Sequence, residues 1–299
     1  MCFTKMKLFN LLSSIVCAIV PIALAVNPCR IVSLSGGGSH GAFEAGVLKS
    51  MMEKPDFQPW DVHLGVSAGG LGVLSLVKDD YQENSEIIRD MWSSTKTKDV
   101  IEPLTSSNSL SGNGKIYKLL SSTLDRMSGS PSNGYFGVGV TDLTTGSFVI
   151  RDINTNAINY DDFVASAAIP VVFPPIGSFV DGGLQKNEIF LSGLKYCNDK
   201  YDSVVMDLVF ANYESEQDDP GPWSLWNIAK RSFDLIKEDF DNMYFKSVSS
   251  CQNYKSTLQL KVNIYMPLEP ISISALNFDL GDMLWNLGYY NHTIYTVHC

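Results

Sequence analysis

Apolar residues along the chain fall into short runs that switch between two periods. Arg30 to Ser35 is a β-rich apolar run ending in Gly36-Gly37-Gly38-Ser39-His40-Gly41, beyond which Phe43, Val47, Leu48, Met51 and Met52 recur at helical spacing across Ala42 to Glu53. This predicts strand, glycine turn and helix. Asp61 to Val66 repeats the strand signal, and Ser67 opens a second apolar helical stretch, Ala68 to Val77. Such a βαβα unit requires a parallel sheet with right-handed crossovers.

Helical spacing continues over Ser85 to Thr95 and Lys115 to Met127, and between them Thr105 to Gly114 has the Ser/Gly/Asn composition of a loop able to lie over a cleft. Tyr135 to Asp142 and Ser147 to Asp152 read as paired strands around Thr144-Thr145-Gly146, and Asp161 to Ala168 as a short helix closed by Pro170. Val204 to Ala211 suits a buried strand, Ser224 to Lys246 a long amphipathic helix, Leu258 to Met266 a strand and Asp279 to Tyr290 a last helix. The aromatic stretch Trp285 to Tyr295 reads as core, and Trp223 and Trp226 as packing of the long helix or as anchors at a lipid interface. No repeat or linker-like break interrupts the alternation. The expectation is one α/β domain, a mainly parallel sheet flanked by helices.

Composition narrows the classes. Of 299 residues 45% are hydrophobic and 18% charged, with mean hydropathy +0.03, which excludes both a disordered chain and a multispanning membrane protein. With 22 basic against 32 acidic residues the net charge is −10, so nucleic acid is not an expected partner and strongly anionic membranes are disfavoured.

Lys5 and Lys7, the apolar run Leu8 to Leu24 and the small-x-small Ala23-Leu24-Ala25 have the layout of a secretory signal peptide over residues 1–25, an uncleaved anchor being the competing reading. Cleavage would leave a domain over residues 26–299 in the secretory or endolysosomal lumen or outside the cell. Its cysteines would be Cys29, Cys197, Cys251 and Cys299, an even set suited to two disulfides whose pairing is open, with unpaired buried thiols as the alternative. Asn291-His292-Thr293 is a sequon for a surface glycan.

Gly65-Val66-Ser67-Ala68-Gly69 is a G-x-S-x-G between a predicted strand and a predicted helix. A nucleophile on so sharp a turn needs neighbours without bulk, and the helix after it aims N–H groups at developing negative charge; the plainer alternative is an N-cap serine. Gly36-x-Gly38-x-x-Gly41 also satisfies a dinucleotide fingerprint, but the acidic residue expected about 20 positions on is replaced by Val66-Ser67. Backbone N–H groups of Gly37 and Gly38 fit an oxyanion hole better.

A serine nucleophile needs a base, and the histidines are His40, His63, His292 and His298. A Ser-His-Asp triad in hydrolase order would draw on His292 or His298, of which His292 is the better placed. The acidic alternative is Asp181-Gly182-Gly183, where a carboxylate in a partly desolvated pocket can act as base. Taken alone, Asp-Gly-Gly is also a common turn.

Together, Ser35-Gly36-Gly37-Gly38-Ser39-His40-Gly41, Gly65-Val66-Ser67-Ala68-Gly69-Gly70 and Asp181-Gly182-Gly183, with Ala165 to Pro175 between the last two, resemble the patatin-like phospholipase family. The resemblance spans Arg30 to Asn187. It implies a three-layer α/β sandwich and hydrolysis of lipid acyl esters by a Ser67-Asp181 dyad with no histidine. It further implies an oxyanion hole at Gly36 to Gly38, a loop ordered through His40 and Gly41, and a nucleophile elbow flanked by Gly65 and Gly69. No metal or cofactor is implied, and the partners would be a lipid ester and the surface of a membrane or micelle. The family usually carries Asp where Ser35 stands, Arg or Lys where His40 stands, and Asn-Pro where Asn187 is followed by Glu188-Ile189. Those departures leave room for a catalytically impaired storage or lipid-binding protein.

Overall fold

The computed structural model describes residues 27–102, 109–127, 129, 133–152, 159–186, 188–198, 200–211 and 259–298, with isolated positions 224, 228, 231, 232 and 235. The expected signal peptide over residues 1–25, Asn187, Trp223, Trp226, Cys251 and Cys299 lie outside them, as does most of the predicted helix Ser224 to Lys246, whose described positions 228, 231, 232 and 235 are helical.

Strands β1 (Cys29–Leu34), β2 (Val62–Val66), β3 (Tyr135–Asp142), β4 (Ser147–Asp152), β5 (Phe179–Asp181), β6 (Ser203–Val209), β7 (Gln259–Pro267) and β8 (His292–His298) form one sheet in the order β4-β3-β2-β1-β6-β7-β8, with β5 added against β3. The central pairs β3-β2, β2-β1, β1-β6 and β6-β7 are parallel, while β4, β5 and β8 run antiparallel. The helices are α1 (Gly41–Met52), α2 (Ala68–Gly72), α3 (Tyr81–Ser94), α4 (Thr97–Val100), α5 (Gly114–Arg126), α6 (Tyr160–Ser166), α7 (Phe190–Asn198) and α8 (Gly281–Tyr290).

Because strand side chains alternate between faces, β1 feeds two cores. Val32 and Leu34 join α1, α3, α5 and α8 on one face, and Cys29 and Ile31 pack toward Phe190 and Cys197 of α7 on the other. Helices thus cover both faces, as expected for a parallel sheet. A disulfide ties Cys29 to Cys197, joining the start of β1 to the end of α7.

Several expectations change. The stretch Ala68 to Val77 is a short α-helix followed by a 3-10 turn over Val73–Leu76, because Gly69, Gly70 and Gly72 weaken the helix interior. The helix expected at Ser85 starts earlier, at Tyr81, where Asp80 accepts a cap bond from the Glu83 N–H. Of the segment Thr105 to Gly114, the described end is tied down: Leu110 and Ser111 N–H donate to the carbonyls of Val171 and Val172 at 2.8 Å each. The C-terminal aromatic stretch divides. Trp285 is buried, but Tyr290 at the end of α8 and Tyr295 on the edge strand β8 are exposed.

Candidate active site

Strand β2 pairs with β3 up to Val66 opposite Gly139, and there the chain leaves the sheet. On the same edge of β3 the next position, Val140, is taken by Asp181 of β5. One strand therefore registers Val66 and Asp181 side by side, and the residue after Val66 is Ser67. The Ser67 hydroxyl donates to Asp181 Oδ2 at 2.6 Å.

The turn at Ser67 is sharp. Its backbone sits at φ 54°, ψ −124°, in the positive-φ region that a side chain rarely adopts. The flanking glycines follow from packing: a Cβ on Gly65 would stand 2.3 Å from the Gly69 carbonyl oxygen, and one on Gly69 would stand 2.4 Å from the carbonyl oxygens of Leu34 and Ser35. Gly65 and Gly69 thus make the elbow possible and seat it on the end of β1.

Asp181 is fully buried. Its Oδ1 accepts from the Gly183 N–H at 2.8 Å, so Asp-Gly-Gly is both a turn and a fixed carboxylate. Burial pushes its carboxyl up to about 7, opposed by the hydrogen bonds from Ser67 and the Gly183 N–H. A carboxylate in that state can take a proton from a neighbouring hydroxyl near neutral pH.

The glycine loop lies beside them. Gly38 has φ +57° and, with Ser67, lines a cleft of about 530 Å³ that is partly open to solvent. The cleft walls are almost wholly apolar, including Leu71, Met91, Ile116, Ile169 and Phe173. The loop is strapped to the segment before α8: the Ser39 N–H donates to the Ala275 carbonyl at 2.7 Å, and Ser39 Oγ donates to the Ser274 carbonyl at 3.1 Å. His40 is buried, not a surface residue, and its Nε2 donates to the Ile273 carbonyl at 2.7 Å. Since a carbonyl only accepts, the proton is on Nε2. Gly41 abuts the Trp92 ring, within 2.5 Å of where a Cβ would stand. Gly36 and Gly37 complete the turn between β1 and this loop, and the Gly37 carbonyl accepts from the His40 N–H at 3.1 Å.

The departures from the family pattern also have partners. Ser35 Oγ accepts from the Ala211 N–H at 2.8 Å and donates to the buried Glu44 at 3.2 Å. Glu188 is buried and accepts from Ser33 Oγ and from the Ile189 N–H.

The other histidines are elsewhere. His63, in the middle of β2, stacks on Phe136 with centroids 4.2 Å apart, and burial pushes it down to about 3, so it is neutral. His292 starts β8, four strand positions from β2 in the sheet order, a lateral separation of about 19 Å at the usual strand spacing. Its Nδ1 donates to the Gly288 carbonyl at 2.6 Å. That arrangement corrects the triad alternative: neither ring is placed to serve Ser67. His298 lies farther along the same edge strand. Asn291 is exposed, where a glycan is sterically possible.

Ser166 is the site residue that sequence reasoning passed over. It is fully buried at the end of α6, and its Oγ accepts from the Ser67 N–H at 2.9 Å. The only local signal was its place in Ala165-Ser166-Ala167-Ala168-Ile169-Pro170, a polar residue inside an otherwise apolar segment. Among the described residues no cluster of His, Cys, Asp or Glu is arranged to hold a metal ion.

A family model described as patatin-like phospholipase matches residues 32–192, over half of the chain. No curated protein matches. Among solved structures, the crystal structure of VipD from Legionella pneumophila aligns at 14% identity and a TM-score of 0.36, covering 89% of this chain and 68% of that one.

Proposed function

The chain belongs to the patatin-like phospholipase family, and we propose that it is a serine acyl hydrolase that cleaves carboxylic esters of membrane lipids, with Ser67 as nucleophile and Asp181 as base. The observation that carries this reading is the 2.6 Å hydrogen bond between the two side chains, with the serine on a positive-φ turn at the edge of an apolar cleft. Side chains 114 residues apart in sequence meet in the geometry a nucleophile and its base require.

The steps follow from that geometry. Ser67 Oγ attacks the acyl carbonyl carbon as its proton passes to Asp181 Oδ2. The carbonyl oxygen takes up the negative charge and is held by backbone N–H groups of the Gly36 to Gly38 loop. When the tetrahedral adduct collapses, the C–O bond to the lipid alcohol breaks and Asp181 returns the proton to the leaving oxygen. The acyl group is left as an ester on Ser67. Water then attacks this ester, Asp181 accepts its proton and passes it back to Ser67, and the fatty acid leaves. The apolar cleft suits the acyl chain, whose burial contributes about 0.8 kcal/mol per methylene.

The elbow and loop support catalysis over storage or simple lipid binding, because a binding module has no need of a strained serine bonded to a buried carboxylate. Residues 1–25 act as a cleavable leader, and the enzyme meets its substrate at a membrane or micelle surface in the secretory lumen or beyond it. The Cys29–Cys197 disulfide suits that oxidising space.

The test is fatty acid release from phosphatidylcholine vesicles and from a soluble short-chain ester. Ser67→Ala and Asp181→Asn should each lower turnover by at least about 10³-fold and abolish labelling by a serine-directed phosphonate. Hydrolysis that persists in purified Ser67→Ala overturns the assignment. Secretion with cleavage after Ala25 in a eukaryotic host, read by N-terminal sequencing, tests the leader.

A further inference from the structure

Ser166 makes two hydrogen bonds that involve both halves of the site. Its Oγ accepts from the Ser67 N–H at 2.9 Å and donates to the Gly139 carbonyl at 2.7 Å. Gly139 is the β3 residue opposite Val66, and its neighbour Val140 is opposite Asp181. The same carbonyl lies against the Asp181-Gly182 turn, since a Cβ on Gly182 would stand 2.4 Å from its oxygen. Two residues beyond Ser166, the Ala168 carbonyl accepts from the Asp181 N–H at 3.0 Å. The end of α6 therefore holds the backbone of Ser67 through a hydroxyl and that of Asp181 through a carbonyl.

We infer that Ser166 is a positioning residue for the Ser67–Asp181 pair, fixing the backbone of the nucleophile against the strand on which the carboxylate is registered. The inference rests on the reading of that pair as catalytic. A hydroxyl suits the position because it donates and accepts at once, which a methyl group cannot do. Fixing matters here because the positive-φ backbone of Ser67 is costly unless its surroundings hold it. A displacement of about 1 Å at a reacting group can cost about 100-fold in rate.

The experiment compares Ser166→Ala and Ser166→Thr with the parent protein on a soluble short-chain ester, reading kcat, KM, the pH profile and the melting temperature, with Ser67→Ala as control. Ser166→Ala should lower kcat by about 10- to 100-fold while KM stays within about twofold, because Ser166 has no part in holding the ester. Loosening the pair also weakens the hydrogen bond that opposes the burial of Asp181, so the acid limb of the profile should move to higher pH. Ser166→Thr, which keeps the hydroxyl, should recover most of the rate. The inference is overturned if folded Ser166→Ala keeps the parental kcat, or if its loss comes with no movement of the acid limb and no recovery in Ser166→Thr. Activity retained in Ser67→Ala instead overturns the underlying reading.

Discussion

Gly38 lies so close to Ala275 that a Cβ on residue 38 would stand 2.1 Å from the Ala275 carbonyl oxygen. The contact ties the glycine loop to the strap before α8, and the positive φ of Gly38 adds a second reason for glycine there. Gly38→Ala should therefore destabilise the fold by about 2 kcal/mol or more. The loss of ester hydrolysis should exceed the loss of folded protein, because a shifted loop misplaces the N–H groups proposed to hold the oxyanion. Thermal unfolding alongside turnover per folded molecule separates the two effects.

With Asp181 as the proposed base, its buried carboxyl should make both rate and stability depend on pH. Proton acceptance needs the ionised form, so kcat/KM should rise about tenfold per pH unit up to about 7 and level off above it. The stability effect has the opposite sign. Burial raises the folded pKa from 3.8 to about 7, so across that interval the folded protein holds a proton that the unfolded chain has released, and stability falls as pH rises. Asp181→Asn should accordingly be inactive and more stable than the parent near pH 8, by on the order of 1 kcal/mol or more. The difference should shrink as pH falls from 7 toward 4, which denaturant titrations at several pH values will show.

The disulfide closes a long loop, with its cysteines 168 residues apart in sequence. It holds the first strand of the sheet to a helix on one face. Replacing both cysteines with alanine should lower stability by about 2–5 kcal/mol, with little change in turnover by the protein that stays folded. Urea unfolding of the double variant, and of the parent with and without reductant, measures this.

Val171 has φ +72° and is half exposed, a costly conformation for a β-branched residue. Val171→Gly should stabilise the protein by about 0.5–1 kcal/mol, the relief of strain outweighing the greater entropy of glycine in the unfolded chain. A lowered melting temperature would show that the valine side chain makes contacts worth more than the strain.

Features that depend on residues close in sequence were legible. The glycine turn after β1, the elbow around Ser67 and the hairpin of β3 and β4 all announce themselves within about twenty residues or fewer, because turn sterics and side-chain periodicity act at short range. The short helix α4, helix α7 and strand β8 went unread, the last two for an evident physical reason. Helix α7 contains Gly193 in its interior, packed 3.0 Å from Ile31 where a Cβ would stand, a choice made by packing against local helix preference. Strand β8 is an exposed edge strand whose polar and aromatic residues lack the apolar alternation of a half-buried one.

The local sequence was enough to specify a serine on a sharp strand-to-helix turn, because Gly65 and Gly69 act within two residues of Ser67 through steric contact. It also named Asp181 as a carboxylate in a turn. The meeting of the two was implied by the family resemblance and not by any local signal. That depends on β3 pairing with β2 up to Val66 and then with β5 from Asp181, a register set by long-range strand pairing and the burial of both sheet faces. The same long-range packing chose Cys197 as the partner of Cys29 and made the hydroxyl of Ser166 part of the site. It also carried His292 to the far edge of the sheet and brought the buried carboxylate of Asp181 within hydrogen-bond reach of Ser67.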